Sequence, residues 1–541
     1  MPNVKRVFTV NGKPFFPLAG QARNSSGYND AESETAFKAV KLFSGNTLEI
    51  PVYWEQIEPE EGKFDFASVD ALLTKARRSG VKLVLLWFAS WKNGDMDYAP
   101  SWVKTNPKRL KRVIAPSGLD IWNLSTHCPE NLQADKRAFV ELCKHLKAKD
   151  SAERTVIAIQ VQNEPGILGC DRDYGPEAQA VLNSPVPADI VARMKALGKG
   201  RVHDLWQAAG GKASGTWPEM FGWAGGELMT AWSIANYIDK IAGAGKAVCA
   251  IPMYINVWLG EADPWAIAGE DYPSGGGVSK VLDLYKWCTP HIDLIAPDIY
   301  IADSRGYEAV CAGYARDDNP LFVPESAPIG ANTWNVFRAV GEYNAIGYAL
   351  FGIEHLVGSD GGVEPARQPL VDSFRCIAAA IPLLLKYQGT GKIHTVIQEE
   401  QMDAMRSDLG DYLGWIMFGA GPAPRVTKDW RHNRGPLPSV VPTEGSRSRG
   451  LVIQASPKEF YLVGVNFRLF LRPKLAPELS RDATLANLPW LARQTRYVSV
   501  DEGHFNEQGE FVVDRRRNGD EHDTGLWVEA DTGVVRAILC D

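Results

Sequence analysis

The feature that most constrains the fold is a repeated alternation of short apolar runs and helical patterns between Phe15 and Phe351. This alternation is the rhythm of strand–helix units arranged around a parallel sheet. Eight units favour a closed (β/α)8 barrel, because closure leaves no exposed edge strand. An open doubly wound sheet is the alternative, and the lack of a G-x-G-x-x-G turn after the first run disfavours it. The apolar runs are Phe15–Ala19, Thr47–Ile50, Lys82–Trp87, Val156–Val161, Ala250–Asn256, Leu294–Ala296, Leu321–Val323 and Gly347–Phe351.

Two departures from this rhythm predict the domain organisation. A long segment rich in Gly, Pro and Trp follows the fourth run and predicts an insertion over about 166–245 at the barrel mouth. After the last helical pattern the period of the apolar residues changes to two, which is typical of strands. We therefore expect an α/β protein with a TIM-barrel domain over 1–387 and a β-rich accessory domain over 388–541. The clearest accessory strands are Lys392–Ile397, Tyr412–Phe418 and Glu459–Val465.

Composition limits the partners and the location. The 541 residues carry a formal charge of −7, so no broad basic surface is available and nucleic acid is not an expected partner. The longest apolar stretch, Ile377–Leu385, is shorter than a membrane-spanning helix, and no membrane contact is expected. Eight widely spaced cysteines predict free thiols in the core. No signal-peptide pattern opens the chain. We expect a cytoplasmic or periplasmic protein that could form a homo-oligomer.

Glutamates follow two of the predicted strands. Glu164 follows the fourth run, and Glu325 follows the seventh. Barrel active sites lie at the C-terminal strand ends, where side chains from these two strands can face each other. Glycoside cleavage requires two facing carboxyl groups, one protonated to assist the leaving oxygen and one ionised to attack the sugar or to activate water. A lone glutamate after a strand more commonly supplies charge at a helix N-terminus, but the matched pair favours this chemistry.

The predicted barrel, with Glu164 and Glu325 after its fourth and seventh runs, resembles the retaining glycoside hydrolases of clan A, most closely the β-galactosidase families 35 and 42. The resemblance extends over roughly residues 10–385. The resemblance rests on Asn163–Pro165, and on Asn46–Phe66, which is similar to a family pattern of strand-end aromatics before E-P-x-x-G-x-F-D-F. It implies that Glu164 is the general acid/base, that Glu325 is the nucleophile and that Asn163 contacts the sugar 2-hydroxyl. It also implies a glycoside or oligosaccharide as substrate. The sequence has no His/Cys/Asp cluster with metal spacing, and we expect no cofactor.

Four further residues are candidates for substrate binding. Tyr300 is similar to the clan tyrosine that hydrogen-bonds the nucleophile. Trp54 and Trp87 end or follow barrel strands and could stack on sugars, although packing is the commoner role of such rings. Glu49 lies near the end of the second strand, where it could bind a hydroxyl or be a buried carboxylate satisfied by its neighbours. Metal-ligand spacing is absent from the sequence, and no metal is expected. Other mouth candidates with a structural alternative are Glu55, Lys92–Gly94 and Glu354–His355.

Three positions depart from the galactosidase pattern. Gln162 replaces a glutamate, Pro165 replaces a tyrosine, and Ser90 stands where A-E-W supplies a glutamate that helps bind galactose. Galactose, glucose, xylose and fucose therefore stay open as the sugar. The sequence predicts a retaining exo-acting β-glycosidase, with a β-galactosidase as first choice, that hydrolyses β-linked oligosaccharides by double displacement. A β-glycosyltransferase using the same glutamates and a carbohydrate-binding pseudoenzyme are the alternatives.

Overall fold

The computed structural model describes residues 6–260, 265–400, 402, 404–419, 443–474, 495–517, 519–522 and 525–540. At its centre, eight parallel strands form one sheet that curves into a barrel. A bridge between Val323 and Tyr348 joins the two ends of the sheet, so the (β/α)8 prediction is confirmed. The barrel strands are β1 (Leu18–Gln21), β2 (Thr47–Tyr53), β3 (Lys82–Lys92), β4 (Val156–Asn163), β5 (Met253–Trp258), β6 (Leu294–Ile299), β7 (Glu325–Ser326) and β8 (Tyr348–Phe351).

The seventh strand differs from its prediction. β7 begins at Glu325, beyond the predicted run Leu321–Val323. Val323 still contributes to the barrel, since its carbonyl accepts a 2.8 Å hydrogen bond from the amide of Ala349. Pro324 has no N–H to donate and interrupts the ladder between these two points. The other seven apolar runs overlap the observed strands.

Amphipathic helices surround the barrel and cover its outer face. In Ala67–Ser79, for example, Val69, Leu73 and Ala76 are buried, and the helix ends at Gly80, whose φ of 63° suits a glycine. The eight cysteines are free thiols, as predicted, and seven of them are buried. The barrel-domain helices are Asp30–Leu42, Trp54–Ile57, Ala67–Ser79, Ser101–Lys104, Pro129–Asp150, Pro176–Leu182, Ala188–Leu197, Arg201–Ala208, Trp217–Phe221, Gly225–Val248, Leu282–Cys288, Ser304–Tyr314, Asn332–Gly341 and Gln368–Tyr387.

The segment after β4 contains both an insertion and a barrel helix. Gly225–Val248 packs on Pro129–Asp150, and the approach is so close that a Cβ at Gly245 would lie 2.4 Å from the ring of Phe139. The helix therefore occupies the position expected after the fourth strand, and the inserted residues are 166–224 rather than about 166–245. Short helices fill most of this insertion.

The C-terminal strands form two antiparallel sheets that pack beside the barrel. The predicted accessory strands are all present. Arg449, on the larger sheet, is fully buried and donates to Ser373 Oγ at 2.6 Å and to the Pro369 carbonyl at 2.9 Å. The six-stranded sheet contains Ile393–Ile397, Arg449–Ser456, Glu459–Val465, Val534–Leu539, Tyr497–Phe505 and Phe511–Arg516, and the four-stranded sheet contains Ala404–Leu409, Tyr412–Phe418, Phe467–Pro473 and Leu526–Val528.

The longest apolar stretch of the sequence lies in the last barrel helix. Pro365–Tyr387 is the one helical segment of the described chain that is long and apolar enough to cross a membrane by length and composition. Half of that stretch is buried inside the protein. Phe374, Ile377 and Leu384 belong to the same hydrophobic core as the barrel strands. Packing against strands on both sides accounts for the apolar character of this helix.

Candidate active site

Glu164 and Glu325 lie together at the C-terminal end of the barrel. Glu164 directly follows β4, and Glu325 is the first residue of β7. One carboxyl oxygen of each lies within 4.8 Å of the other, and both share this spacing with Asp298 on β6. All three residues are buried, with 7%, 3% and 2% of their surfaces exposed respectively. The barrel thus brings the two predicted glutamates together and adds a third carboxyl group that the sequence reasoning did not single out.

Hydrogen-bond donors surround the carboxylate of Glu325. Asn163 Nδ2 donates to Oε1 at 3.1 Å, and Asn256 Nδ2 donates to the same oxygen at 3.2 Å. Tyr300 donates from its hydroxyl to Oε2 at 2.9 Å. Burial, followed by the negative charge of Glu325, raises the pKa of Tyr300, so this hydroxyl keeps its proton. Three donors to one carboxylate favour its ionised form and fix its orientation.

The environment of Glu164 favours the protonated form instead. Burial raises the pKa of Glu164 to about 7, and the negative charge of Glu325 adds to this shift. The positive charge of Lys92 and a hydrogen bond with Asp298 oppose the rise. A carboxyl group with a pKa near neutrality can give a proton to a leaving group and later take one from water.

The backbone at the end of β4 is unusual, and this brings successive side chains to one site. Gln162 has a φ of 69° and Glu164 a φ of 44°, left-handed values that non-glycine residues rarely adopt. Successive residues of a regular strand point to opposite faces, whereas here Asn163 contacts Glu325 while Glu164 lies beside it. The amide of Glu164 donates to Asn256 Oδ1 at 2.9 Å, which secures this conformation.

Two of the positions that depart from the galactosidase pattern belong to one buried network. Ser90 Oγ and Gln162 Nε2 each donate to Asp135 Oδ2 at 2.6 Å, and Trp87 Nε1 donates to Oδ1 at 2.9 Å. Gln162 also accepts from the amide of Trp91 at 3.1 Å through Oε1. Both Ser90 and Gln162 are fully buried, and both side chains are directed at Asp135. A carboxylate from the neighbouring helix therefore satisfies both polar groups behind the site.

The structure places the remaining predicted binding residues below or beside the mouth. Glu49 is fully buried inside the barrel, where Oε2 accepts from the hydroxyl of Tyr254 at 3.1 Å. Burial raises the pKa of Glu49 well above its usual value, and the charge of Glu325 contributes to the rise. Trp54 and Trp87 are also fully buried in the hydrophobic core. In this conformation neither ring offers a free face, and their contact with a sugar stays a prediction.

Trp258 and Asn256 are site residues that the sequence reasoning missed. Trp258, the last residue of β5, pairs in register with Asp298 and is 36% exposed. Its ring is therefore available at the mouth beside the carboxyl cluster. Asn256 contacts all three carboxyl residues, and its Nδ2 lies 2.7 Å from Asp298 Oδ2. The rule that located the glutamates, a polar or aromatic residue at the C-terminal end of a barrel strand, also fits these positions.

Glu354 joins two loops that follow barrel strands. Glu354 accepts from Ser26 Oγ at 2.5 Å and from the amide of Arg23 at 3.1 Å, and these hydrogen bonds connect the loop after β8 to the loop after β1.

The cluster of Glu164, Asp298 and Glu325 is the one place in the described chain where acidic or metal-ligand side chains converge closely enough to hold a cation. A pair of close carboxyl groups with opposed protonation is equally the requirement of glycoside cleavage.

The fold and this site together define a class. A (β/α)8 barrel with buried glutamates at the ends of its fourth and seventh strands has the arrangement of the clan A glycoside hydrolases. Residues 28–185 match the glycoside hydrolase family 42 model, described as beta-galactosidase. Within the barrel, residues 28–185 are accordingly similar to the β-galactosidases of family 42. Residues 370–529 match a domain of unknown function, DUF5597, which covers the last barrel helix and most of the C-terminal sheets.

Individual proteins are similar to parts of this chain at low identity. Human beta-galactosidase-1-like protein 3 is 27% identical over 184 residues, which are 33% of this chain and 26% of that protein. A beta-galactosidase from Xanthomonas manihotis is 25% identical over 182 residues, 32% of this chain and 28% of that protein. The chain thus spans about a quarter of the length of these relatives. The beta-galactosidase structure from Bacillus circulans sp. alkalophilus is 14% identical with a TM-score of 0.48, covering 68% of this chain and 56% of that one.

Proposed function

We propose that this protein is a retaining, exo-acting β-glycosidase, and specifically a β-galactosidase, that hydrolyses β-linked oligosaccharides. The observation that carries the proposal is the opposed environment of two adjacent carboxyl groups. Glu164 has a pKa of about 7, while three donors hold Glu325 as a carboxylate. The relation of the barrel to family 42 supports galactose as the sugar.

The proposed reaction is a double displacement. Glu325 attacks the anomeric carbon while the proton of Glu164 passes to the glycosidic oxygen, and the bond between that oxygen and the anomeric carbon breaks. A water molecule then attacks the same carbon, gives its proton to Glu164 and releases Glu325. Oxygens within 4.8 Å of each other fit the spacing of roughly 5 to 5.5 Å between carboxyl groups in retaining enzymes better than the roughly 6.5 to 9.5 Å of inverting enzymes.

The loops at the mouth support exo action. Ile167, in the loop after β4, and Ser274, in the loop after β5, exchange backbone hydrogen bonds of 2.9 and 2.8 Å. The two loops that follow the fourth and fifth barrel strands are therefore joined to each other. We infer that this link limits the length of glycan that can enter the site, which favours a terminal sugar.

The direct test is to trap the glycosyl-enzyme with an aryl 2-deoxy-2-fluoro-β-galactoside. We expect mass spectrometry of peptides to locate the label on Glu325, and a Glu325→Gln variant to stay unlabelled. A label on another residue would refute the nucleophile assignment. Binding of the sugar without label or turnover would favour the pseudoenzyme.

A panel of aryl β-glycosides that differ only in the sugar then tests the substrate. We expect the galactoside to give the highest kcat/KM among galactoside, glucoside, xyloside and fucoside. Adding a sugar acceptor to the same assay measures the ratio of transferred to hydrolysed product. A ratio that stays above one at low acceptor concentration would support the transglycosylase alternative.

A further inference from the structure

We propose that Asp298 is a third functional carboxyl group of this site, and that it stays protonated at neutral pH and donates a hydrogen bond to Glu164. Its role is to stabilise the negative charge that Glu164 acquires after protonating the leaving group. This inference rests on the proposed glycosidase function, because the charge appears on Glu164 only if that residue is the acid.

The hydrogen bonds of Asp298 indicate where its proton lies. Oδ2 accepts from Asn256 Nδ2 at 2.7 Å, whereas Oδ1 is buried and has no donor within the residues that the structure describes. A buried carboxylate oxygen without a donor costs free energy, but a protonated oxygen is itself a donor and needs only an acceptor. Glu164, whose carboxyl group lies in the same cluster and shares a side-chain hydrogen bond with Asp298, is the acceptor in reach.

The charges around Asp298 support the same assignment. Three ionised carboxyl groups this close would repel one another strongly in a site shielded from water. Glu325 has three donors and Asp298 has one, so the proton is retained more readily on Asp298. Burial, then the charges of Glu325 and Glu164, raise the pKa of Asp298 well above its usual value. The titratable and charged groups facing Asp298 are Lys92 on β3, Glu164 after β4, Tyr254 on β5, Tyr300 after β6 and Glu325 on β7.

Asn256 holds the three carboxyl groups in one arrangement. Its Oδ1 accepts from the amide of Glu164, and its Nδ2 donates to both Asp298 and Glu325. When Glu164 gives its proton to the glycosidic oxygen, the O–H bond of Asp298 stays intact and points at the new carboxylate. When Glu164 later takes a proton from water, the original state returns. Asp298 therefore gains and loses no proton over the cycle, and it acts as a positioning and charge-stabilising residue.

Two substitutions at Asp298 distinguish this role from that of an ionised carboxylate. Asp298→Asn keeps the shape, an N–H donor and the neutral charge, so kcat/KM with poor leaving groups should stay within about threefold of wild type. Asp298→Ala removes the donor to a charged group and should lower the same quantity about 10- to 100-fold. Activated aryl glycosides, which need little protonation, should lose much less. Equal losses in both variants would overturn the inference.

The fall of kcat/KM at alkaline pH, the alkaline limb of the pH profile, gives an independent readout. We expect the limb to stay in place in Asp298→Asn and to move to higher pH in Asp298→Ala, because the lost hydrogen bond had stabilised ionised Glu164. If Asp298 were ionised in the wild type, Asp298→Asn would remove a negative charge and move the limb to lower pH by about one unit, which would refute the proposal. Thermal unfolding of each variant checks that the fold is retained.

Three further measurements test this inference separately from the proposed function. Because Glu49 is another buried carboxyl group with a raised pKa, the infrared readout is the difference between the spectra of Glu164→Gln and Glu164→Gln/Asp298→Asn. This difference should contain a protonated-carboxyl C=O band above neutral pH, and its absence would overturn the inference. If the wild type is labelled at Glu325 but the Asp298 variants contradict the predicted pattern, only this inference fails; an unlabelled wild type removes the function itself. A stoichiometric bound metal ion, with activity lost on chelation, would also overturn it.

Discussion

The hydroxyl of Tyr300 donates a 2.9 Å hydrogen bond to Oε2 of Glu325, and 45% of the tyrosine surface is exposed at the mouth. Tyr300→Phe removes this donor while keeping the ring. Hydrogen bonds to charged groups contribute about 1.5 to 3 kcal/mol, so we expect kcat/KM to fall about 10- to 100-fold. Tyr307→Phe is the control, because the Tyr307 hydroxyl donates to Tyr348 and not to Glu325. Similar losses in both variants would show that the effect is structural.

The pH dependence of kcat/KM should report the proton on Glu164. Since the pKa of this carboxyl is about 7, the acid form dominates below pH 7 and is lost above it. With poor leaving groups, kcat/KM should fall tenfold for each pH unit above about 7. Glu164→Gln, assayed with an activated aryl glycoside, should lack this limb. A limb that persists in the variant would assign the titration to another group.

Removing the Glu164 carboxyl group should affect substrates according to their leaving groups. We expect Glu164→Ala to slow cleavage of poor leaving groups about 10²- to 10⁴-fold and that of activated aryl glycosides far less. Azide should restore turnover of the aryl substrates and yield a glycosyl azide, because a small anion can replace the missing base in the second step. Equal losses for both substrate types would reject Glu164 as the acid.

Trp258 should contribute to binding more than to chemistry. Its exposed ring lies beside Asp298 at the mouth. Trp258→Ala should raise KM roughly 3- to 10-fold with a smaller change in kcat, as expected from an aromatic contact of about 0.5 to 1.5 kcal/mol. Trp223→Ala, at an exposed tryptophan of the insertion, is the control and should leave KM unchanged. A larger effect at Trp223 would place the sugar elsewhere.

The network around Asp135 should matter for stability. Asp135→Ala leaves the buried donors of Trp87 and Gln162 without their acceptor, whereas Ser90 Oγ keeps the hydroxyl of Tyr237 as a partner. At about 1 to 3 kcal/mol for each unsatisfied group, the free energy of unfolding should fall by at least about 2 kcal/mol. Ser90→Ala removes one donor to Asp135 and should cost less. The midpoints of urea unfolding measure both changes, and a stable Asp135→Ala protein would contradict this account.

The sequence predicted the barrel well because its signal is local and repeated. Seven of the eight apolar runs overlap strands, and strand-end position alone located Glu164 and Glu325. The seventh run failed at Pro324, where a missing N–H breaks the ladder that hydrophobic pattern alone would extend. Trp54 follows β2, whereas β3 continues five residues beyond Trp87, and both rings pack inward. A periodic pattern near a strand end does not fix side-chain direction.

Relationships across the barrel were harder to read from the sequence. Asp298 and Asn256 occupy strand ends, as the glutamates do, but no motif marked them. Their importance arises from proximity to residues far away in the chain. The departure at Ser90 could be interpreted as a lost sugar contact from the motif alone, whereas its hydrogen bond to Asp135 shows a buried polar group satisfied from a helix.

The buried contacts of Arg449 have a consequence for how the chain folds. Its guanidinium reaches from the C-terminal sheet to the helix Gln368–Tyr387, and Leu451 and Val463 share one apolar core with the barrel. The predicted domain boundary between residues 387 and 388 therefore separates two sequence patterns, and we expect the two parts to unfold together as one cooperative unit. A chain truncated at 387 would expose the outer face of its last helix and aggregate, and heating the full chain should give one calorimetric transition for both parts.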